Sequence, residues 1–217
     1  MTSSFVDPTA EVSKDASVGD GSQIWNWTKV REYASIGKGV SIGQHCYVDQ
    51  GVVIGERCKI QNGVNIFSGV TIGDEVFVGP SVTFTNDLYV WANIECPLTP
   101  TFVGNGASIG ANATIVCGVT IGEGAFIGAG SVVIDNVPPR TLVVGNPARI
   151  VRRLTDDDRV VRGESLWRIS GYARVYNDPF KWPLLYEANR EGIADPDLIH
   201  PGLVLRFKRK PSPPAAA

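Results

Sequence analysis

The chain has 217 residues, 43% of them hydrophobic, and a formal net charge of −2 from 20 basic and 22 acidic side chains. That length allows one or two domains with a real core, and the near-balanced charge argues against nucleic acid as the main partner. No apolar run approaches the ~18 residues a membrane span needs, and the opening MTSSFVDP lacks a secretory pattern, so a cytoplasmic location is expected.

From Val6 to Phe84 every sixth residue is aliphatic or, at the end, aromatic: Val6, Val12, Val18, Ile24, Val30, Ile36, Ile42, Val48, Ile54, Ile60, Ile66, Ile72, Val78, Phe84. The next position is often glycine (Gly19, Gly37, Gly43, Gly55, Gly73, Gly79), and the fourth after it is small or β-branched, as at Ala10, Ser22, Thr28 and Val52. Helices repeat at 3.6 residues and strands at 2.0, so a fixed six-residue period points to a solenoid. The expected fold class is an all-β left-handed parallel β-helix, with three hexapeptides per triangular coil of 18 residues. Coils should stack with largely nearest-neighbour stability, and the glycines are expected to help the chain turn each corner. Cys46 and Cys58 fill the small inward slot, while Cys96 and Cys117 show no ligand spacing; no metal or redox role is expected of any of them.

The period stops after Phe84 and resumes at Val103, continuing through Ile109, Ile115, Ile121, Ile127 and Val133. Val103 stands nineteen residues after Phe84 instead of six, so the segment 85–102, TNDLYVWANIECPLTPTF, is an excursion from the coil. Loops set on a rigid scaffold carry function or subunit contacts disproportionately. After Val133 two prolines end the repeat, and VVGNPAR is expected to make a last turn before the cationic Arg149, Arg152 and Arg153. Thr155–Asp158 has the composition of a linker. Residues 159–208 then change to a strand–helix–helix–strand pattern: Val160–Val161, Glu164–Val175, Lys181–Arg190 and Leu203–Phe207. The Pro/Ala-rich tail, 209–217, is expected to be disordered.

Three chemistries have been built on such coils. A carbonic-anhydrase-type metal hydratase needs several histidine ligands, and this solenoid has one, His45. O-acyl transfer to a sugar hydroxyl needs a general base, for which His45 is the sole imidazole of the solenoid; it lies well before the interruption, where a surface histidine is the plainer role. N-acyl transfer asks less. A free amine is already a nucleophile, so the protein need only bind, orient and stabilise the oxyanion.

The residues at the interruption carry a resemblance. FTND (Phe84–Asp87), VGPS (Val78–Ser81), IQNGVNIF (Ile60–Phe67), GANATIVCGVTIGEGAFIGAGSVV (Gly110–Val133), Ile24-Trp25, Gly43-Gln44 and VVGNPAR together resemble the nucleotide-sugar N-acetyltransferases, over residues 6–154. These enzymes use acetyl-coenzyme A to acetylate 3-amino sugars linked to UDP or dTDP. The resemblance implies that Asn86 orients the acceptor amine, with Asp87 beside it as a substrate-binding residue, and that acetyl-coenzyme A lies between subunits of a homotrimer, with no metal. Ala111 and Ala129, 18 apart, would wall the coenzyme channel or serve tight trimer packing. Arg149, Arg152 and Arg153 would meet its phosphates or form a solvated basic end. Asn26, Gln44 and Asn62, also 18 apart, would hydrogen-bond the acceptor or line a solvated edge. Relatives place Pro-Arg where this chain has Val90-Trp91, which favours a neutral amino-deoxy sugar over a uronic acid.

Residues 159–208 resemble a LysM module through RVVRGESLWRIS (Arg159–Ser170) and YNDPFKWPLLYEANREGIADPDLIHPGLVL (Tyr176–Leu205). That resemblance implies binding of N-acetylglucosamine-containing glycans near Gly163, Glu164, Ser165 and Ile199, with avidity from three copies. Two alternatives to N-acetyl transfer therefore stand: a non-catalytic trimeric stalk displaying glycan-binding modules, and an O-acetyltransferase of the same fold.

Overall fold

The computed structural model describes residues 3–93, 97–154, 182–191, 193, 203 and 205–206. The chain forms two compact units, Met1–Arg153 and Leu154–Ala217. The first is a parallel β-helix of short strands on three sheets, here faces I, II and III, of nine, seven and six strands. Face I begins with Phe5–Val6, Gln23–Ile24, Ser41–Ile42 and Lys59–Ile60; face II with Glu11–Val12, Lys29–Val30, Tyr47–Val48 and Asn65–Ile66; face III with Ser17–Val18, Ser35–Ile36 and Val53–Ile54. Paired residues are 18 apart below the interruption, as Val6 with Ile24, and 31 apart across it, as Phe77 with Ser108. The interruption therefore leaves the stacking register intact.

The six-residue period supplies the core. On face I, Ile24, Ile42, Ile60, Val78, Ile109 and Ile127 are each at most 1% exposed, and Phe84 on face II is fully buried. Burying each such side chain contributes about 1.5–3 kcal/mol. Val6 differs: it is 39% exposed, because coil one has a neighbouring coil on one side only. In the small slot, Ser22 and Thr28 are buried with their hydroxyls donating to the carbonyls of Gly37 and Gly43, at 2.8 and 2.6 Å.

The corners correct one expectation. The glycines that follow the aliphatic residue are not where the chain turns left-handed; that residue comes two positions later. Positive φ recurs at Gly21, Trp27, Tyr33, Gly39, His45, Gly51, Arg57, Gly63, Gly69, Glu75 and Ser81. The earlier glycines answer to crowding instead. A Cβ on Gly37 would sit 2.6 Å from the carbonyl carbon of Gly55, and one on Gly55 would sit 2.5 Å from that of Gly73. Stacked coils touch there backbone to backbone.

A second difference lies at the end of the repeat. Thr141–Val144 and Arg149–Arg153 pair as an antiparallel hairpin that continues face I beyond Phe126–Ile127, where a turn alone was expected. In the second unit, helix α1 spans Trp182–Ala188 within the expected Lys181–Arg190. The Asn189 carboxamide grips Arg206: Nδ2 donates to Arg206 O at 2.7 Å, and Arg206 N donates to Oδ1 at 2.6 Å. The linker, first strand, first helix and tail expected from sequence, and the glycan-binding residues Gly163, Glu164, Ser165 and Ile199, lie outside the described residues. So do two residues of the expected strand Leu203–Phe207.

Gly37→Ala should therefore destabilise by about 1–3 kcal/mol, because rigid backbone must move to admit the methyl. Gly51→Ala has nothing within 4 Å of the new Cβ and bears only the left-handed strain, about 1–2 kcal/mol. Urea denaturation of the two variants should rank Gly37→Ala as the worse.

Candidate functional site

The loop leaves the second–third edge of coil five after Thr83–Phe84 and returns at Thr101–Val103. Both ends are pinned to the next coil. Thr85 Oγ1 accepts from Cys117 N at 3.0 Å, and Thr101 Oγ1 accepts from Gly118 N at 3.1 Å. Thr101 N also donates to Gly69 O at 3.0 Å. Two left-handed glycines make room for the return: a Cβ on Gly69 would lie 3.0 Å from Leu98, and one on Gly118 2.7 Å from Thr99. Asn86, next to the first pin, is half-buried, and its carboxamide has no hydrogen-bond partner among the described residues. Beyond it Asp87, Leu88, Tyr89, Val90 and Trp91 are exposed, Val90 by 86%.

The first–second edge is built differently. Asn26, Gln44, Asn62, Pro80, Ala111 and Ala129 occupy the same corner position in coils two to seven, as the flanking strand pairs show. The carbonyls of the first five accept from the coil above, for example Ser81 N to Asn62 O and Gly130 N to Ala111 O, at 2.9 and 2.8 Å. The backbone N–H groups of Ala111 and Ala129 make no bond within the described residues. From coil five upward the corners read Gly79-Pro80-Ser81, Gly110-Ala111-Asn112 and Gly128-Ala129-Gly130, a wall with few side chains. Below, they read Trp25-Asn26-Trp27, Gly43-Gln44-His45 and Gln61-Asn62-Gly63, and enclose a cleft of about 310 Å³ lined by Trp25, Asn26, Gln44, Gln61 and Asn62. Asn62 Oδ1 accepts from Gln44 N at 3.1 Å, which turns its amide nitrogen away from the backbone bond.

Directly beneath the loop root, the second–third edge carries a polar network. Asp49 accepts from Gln50 N (2.8 Å), Tyr47 OH (3.0 Å) and the Ser68 hydroxyl (2.8 Å) and N–H (3.2 Å). Arg31 reaches Tyr47 OH at 3.2 Å and pairs with Glu32. Burial works against the Asp49 charge, but its four hydrogen bonds together outweigh that cost and hold its carboxyl below the usual range. The bond from Arg31 is the chief cause that lowers Glu32, to about 2.

The expected site residues thus separate into two groups. Asn26, Gln44, Asn62, Ala111 and Ala129 share one edge, whereas Asn86 and Asp87 stand on another, with face II between them. Arg149 lies on the terminal hairpin, 3.8 Å from Asp135, and Arg152 is half-buried on the same strand. His45 sits in coil three on the first–second edge, its ring 5.0 Å from that of Trp27. Sequence reasoning missed the Asp49 network and the contribution of Trp25 and Gln61 to the cleft. The latter was signalled by the 18-residue spacing of Trp25, Gly43 and Gln61, a bulky residue, a gap and a bulky residue. Among the described residues no group of three or more His, Cys, Asp or Glu is placed to hold a metal.

Comparison with known proteins places this geometry. The family described as bacterial transferase hexapeptide (six repeats) matches residues 33–68 and 100–135, all within the solenoid. A hexapeptide-repeat-containing acetyltransferase of Vibrio cholerae O1 biovar eltor, solved with acetyl-coenzyme A, superposes with a TM-score of 0.52 at 34% identity, over 57% of this chain and 72% of that one. A maltose O-acetyltransferase of Clostridium difficile 630 superposes with a TM-score of 0.50 at 27% identity, over 56% and 70%. Probable serine acetyltransferase 1 of Oryza sativa subsp. japonica is 56% identical over 64 residues, 30% of this chain. The chain spans 20% of that relative's length.

Because the Asp49 carboxyl is lowered in the folded state, its stabilisation is complete above the ordinary aspartate value of about 3.9 and is lost as pH falls through the native value. Asp49→Asn should lower the melting temperature at pH 7, and the gap to the parent chain should close as the pH is taken below 3.9 (about).

Proposed function

This chain belongs to the hexapeptide-repeat acetyltransferases, and we propose that it moves the acetyl group of acetyl-coenzyme A to the amine of a nucleotide-linked amino-deoxy sugar. The observation that carries this is the loop root. Asn86 offers an uncommitted, half-buried carboxamide at the one place where the coil is interrupted, and no imidazole accompanies it among the described residues. An amide is no base at neutral pH, but its oxygen can accept from an amine N–H and aim the nitrogen lone pair. That arrangement suits an acceptor that needs orientation rather than deprotonation.

In the proposed step the amine nitrogen attacks the thioester carbonyl carbon, and the carbonyl oxygen takes up the negative charge. Collapse breaks the carbon–sulfur bond, and the ammonium proton passes to the departing coenzyme A thiolate. The Ala111 and Ala129 N–H groups, unused by the coil ladder, support a bound pantetheine arm along the side-chain-poor corners. Arg149 and Arg152, on the hairpin above coil seven, are the cations for the coenzyme's phosphates.

Asn86 and the Ala111–Ala129 wall lie on different edges, so a single chain does not bring them together. We assign the missing half to a second copy: a homotrimer with parallel axes sets the second–third edge of one protomer against the first–second edge of the next at equal coil height. Asn86 then faces the corner of Pro80, where the smooth upper edge meets the polar lower one.

O-acetylation, the activity of the Clostridium difficile neighbour, would require a base at the same point. His45 stands two coils lower than Asn86 and is stacked on Trp27.

Asn86→Ala should retain assembly and lose about 100-fold in kcat/KM with amino-sugar acceptors, read as thiol release from acetyl-coenzyme A. Full turnover in that variant would end the orienting role. Ala129→Leu should raise the KM for acetyl-coenzyme A about tenfold or more and leave the acceptor KM in place, which initial-rate kinetics would resolve.

A further inference from the structure

We infer that Phe67 and Asp49 are positioning residues for the reacting amine: between them they prevent the Asn86 carboxamide from bonding back to its own scaffold, and so keep it open to the acceptor. The inference rests on the proposed acetyl transfer and adds what holds Asn86 free.

Elsewhere on the solenoid the same corner position spends its side chain on the coil below. Two residues after the inward aliphatic, Asn62 Oδ1 accepts from Gln44 N at 3.1 Å, Asp74 Oδ1 from Glu56 N at 2.7 Å, and Asn105 Oδ1 from Asp74 N at 2.9 Å. In each case donor and acceptor occupy equivalent positions of successive coils. Each bond also needs an empty place beneath it. A Cβ on Gly43, Gly55 or Gly73, the residue just before each donor, would collide with the accepting oxygen. The side-chain oxygen sits where a β-carbon would otherwise be.

Asn86 holds that corner position in coil five, stacked on Ser68, so Ser68 N–H is the group it would take. Two features deny it. The residue before Ser68 is Phe67, which has a Cβ where the other three corners have none, and its ring rests against Tyr47 with centroids 5.7 Å apart. Ser68 N–H is moreover already donated to Asp49 Oδ2 at 3.2 Å, alongside the Ser68 hydroxyl at 2.8 Å, while Tyr47 OH donates to Asp49 Oδ1 at 3.0 Å. The amide on the other side of Asn86, Cys117 N, donates to Thr85.

A half-buried carboxamide ordinarily finds a partner in the protein or in water. This one is refused both neighbouring amides, so its bonding capacity is left for whatever enters at the loop root. With the Ser68 bond available, the acceptor would compete against it, and only molecules with the carboxamide released would be competent.

The test compares Phe67→Ala, which keeps the Cβ, with Phe67→Gly, which removes it; both lose the ring. Phe67→Ala should stay within about threefold of the parent kcat/KM for amino-sugar nucleotides, and Phe67→Gly should fall about tenfold. Asp49→Ala/Phe67→Gly, which also releases Ser68 N–H, should fall about 100-fold, with the KM for acetyl-coenzyme A in place, and adding Asn86→Ala to it should remove no further activity. A second readout needs no turnover. Asn86→Ala should leave the thermal midpoint of the parent unchanged, since the carboxamide has no partner there, and should lower that of both glycine variants, where it has gained one. Phe67→Gly, which leaves the Asp49 network whole, carries both measurements if the double variant does not fold. Full turnover in the glycine variants, equal loss in Phe67→Ala and Phe67→Gly, or the same Asn86→Ala midpoint shift in every background would each overturn the positioning role; thiol release by the parent alongside them would leave acetyl transfer standing. No thiol release by the parent with any acceptor, together with the expected midpoint shifts, would sink the transfer and keep the account of the freed carboxamide.

Discussion

Everything in this solenoid depends on the spacing at which one coil lies against the next. Parallel hydrogen bonds such as Gly37 N to Ile54 O and Gly55 N to Ile72 O, both 2.8 Å, hold stacked backbones close enough that a methyl group does not fit at the glycine corners. The inward ladder of isoleucine and valine fills the prism at that spacing, and the small slot carries hydroxyls that bond the neighbouring coil. Chemistry is then left to the edges, since the interior is used up by packing.

The edges are unequal, and the inequality runs along the axis. On one of them the corners of coils two to four carry indole, imidazole and carboxamide, while those of coils five to seven carry little beyond backbone. The loop with Asn86 leaves a different edge at the height where that change occurs. A surface with this division suits a two-substrate reaction, with a long thin donor on the smooth part and a hydrogen-bonding acceptor on the other.

Much of the architecture was legible because the period repeats without error: register, coil size and the place of the interruption are arithmetic on Val6 to Val133. The backbone at the corners was not. Trp27, Tyr33, His45, Arg57 and Glu75 adopt positive φ although none is glycine, so residue identity pointed to the wrong position. The candidate site was half legible. Asn86 and the two alanines follow from a motif and a spacing, but the assignment of Asn86 and Ala129 to different edges depends on which face each strand joins. The cleft beside Trp25 is assembled from the corners of three successive coils, and the Asp49 network gathers residues from four strands and corners with no common motif. The terminal hairpin read as a turn because its second strand, Arg149–Arg153, is mostly exposed and continues no inward six-residue period.

The two threonine pins carry a consequence for variation. Thr85 and Thr101 fasten the loop to adjacent amides, those of Cys117 and Gly118, so its two ends meet at one fixed spot whatever lies between them. Closing a longer segment over the same anchors costs little, about 0.6 kcal/mol for each doubling of length. Stacking above and below continues undisturbed, as the 31-residue pairing of Phe77 with Ser108 shows. The intervening segment can therefore be exchanged as a cassette between anchors, by insertion or recombination, at little cost to the folding of the scaffold.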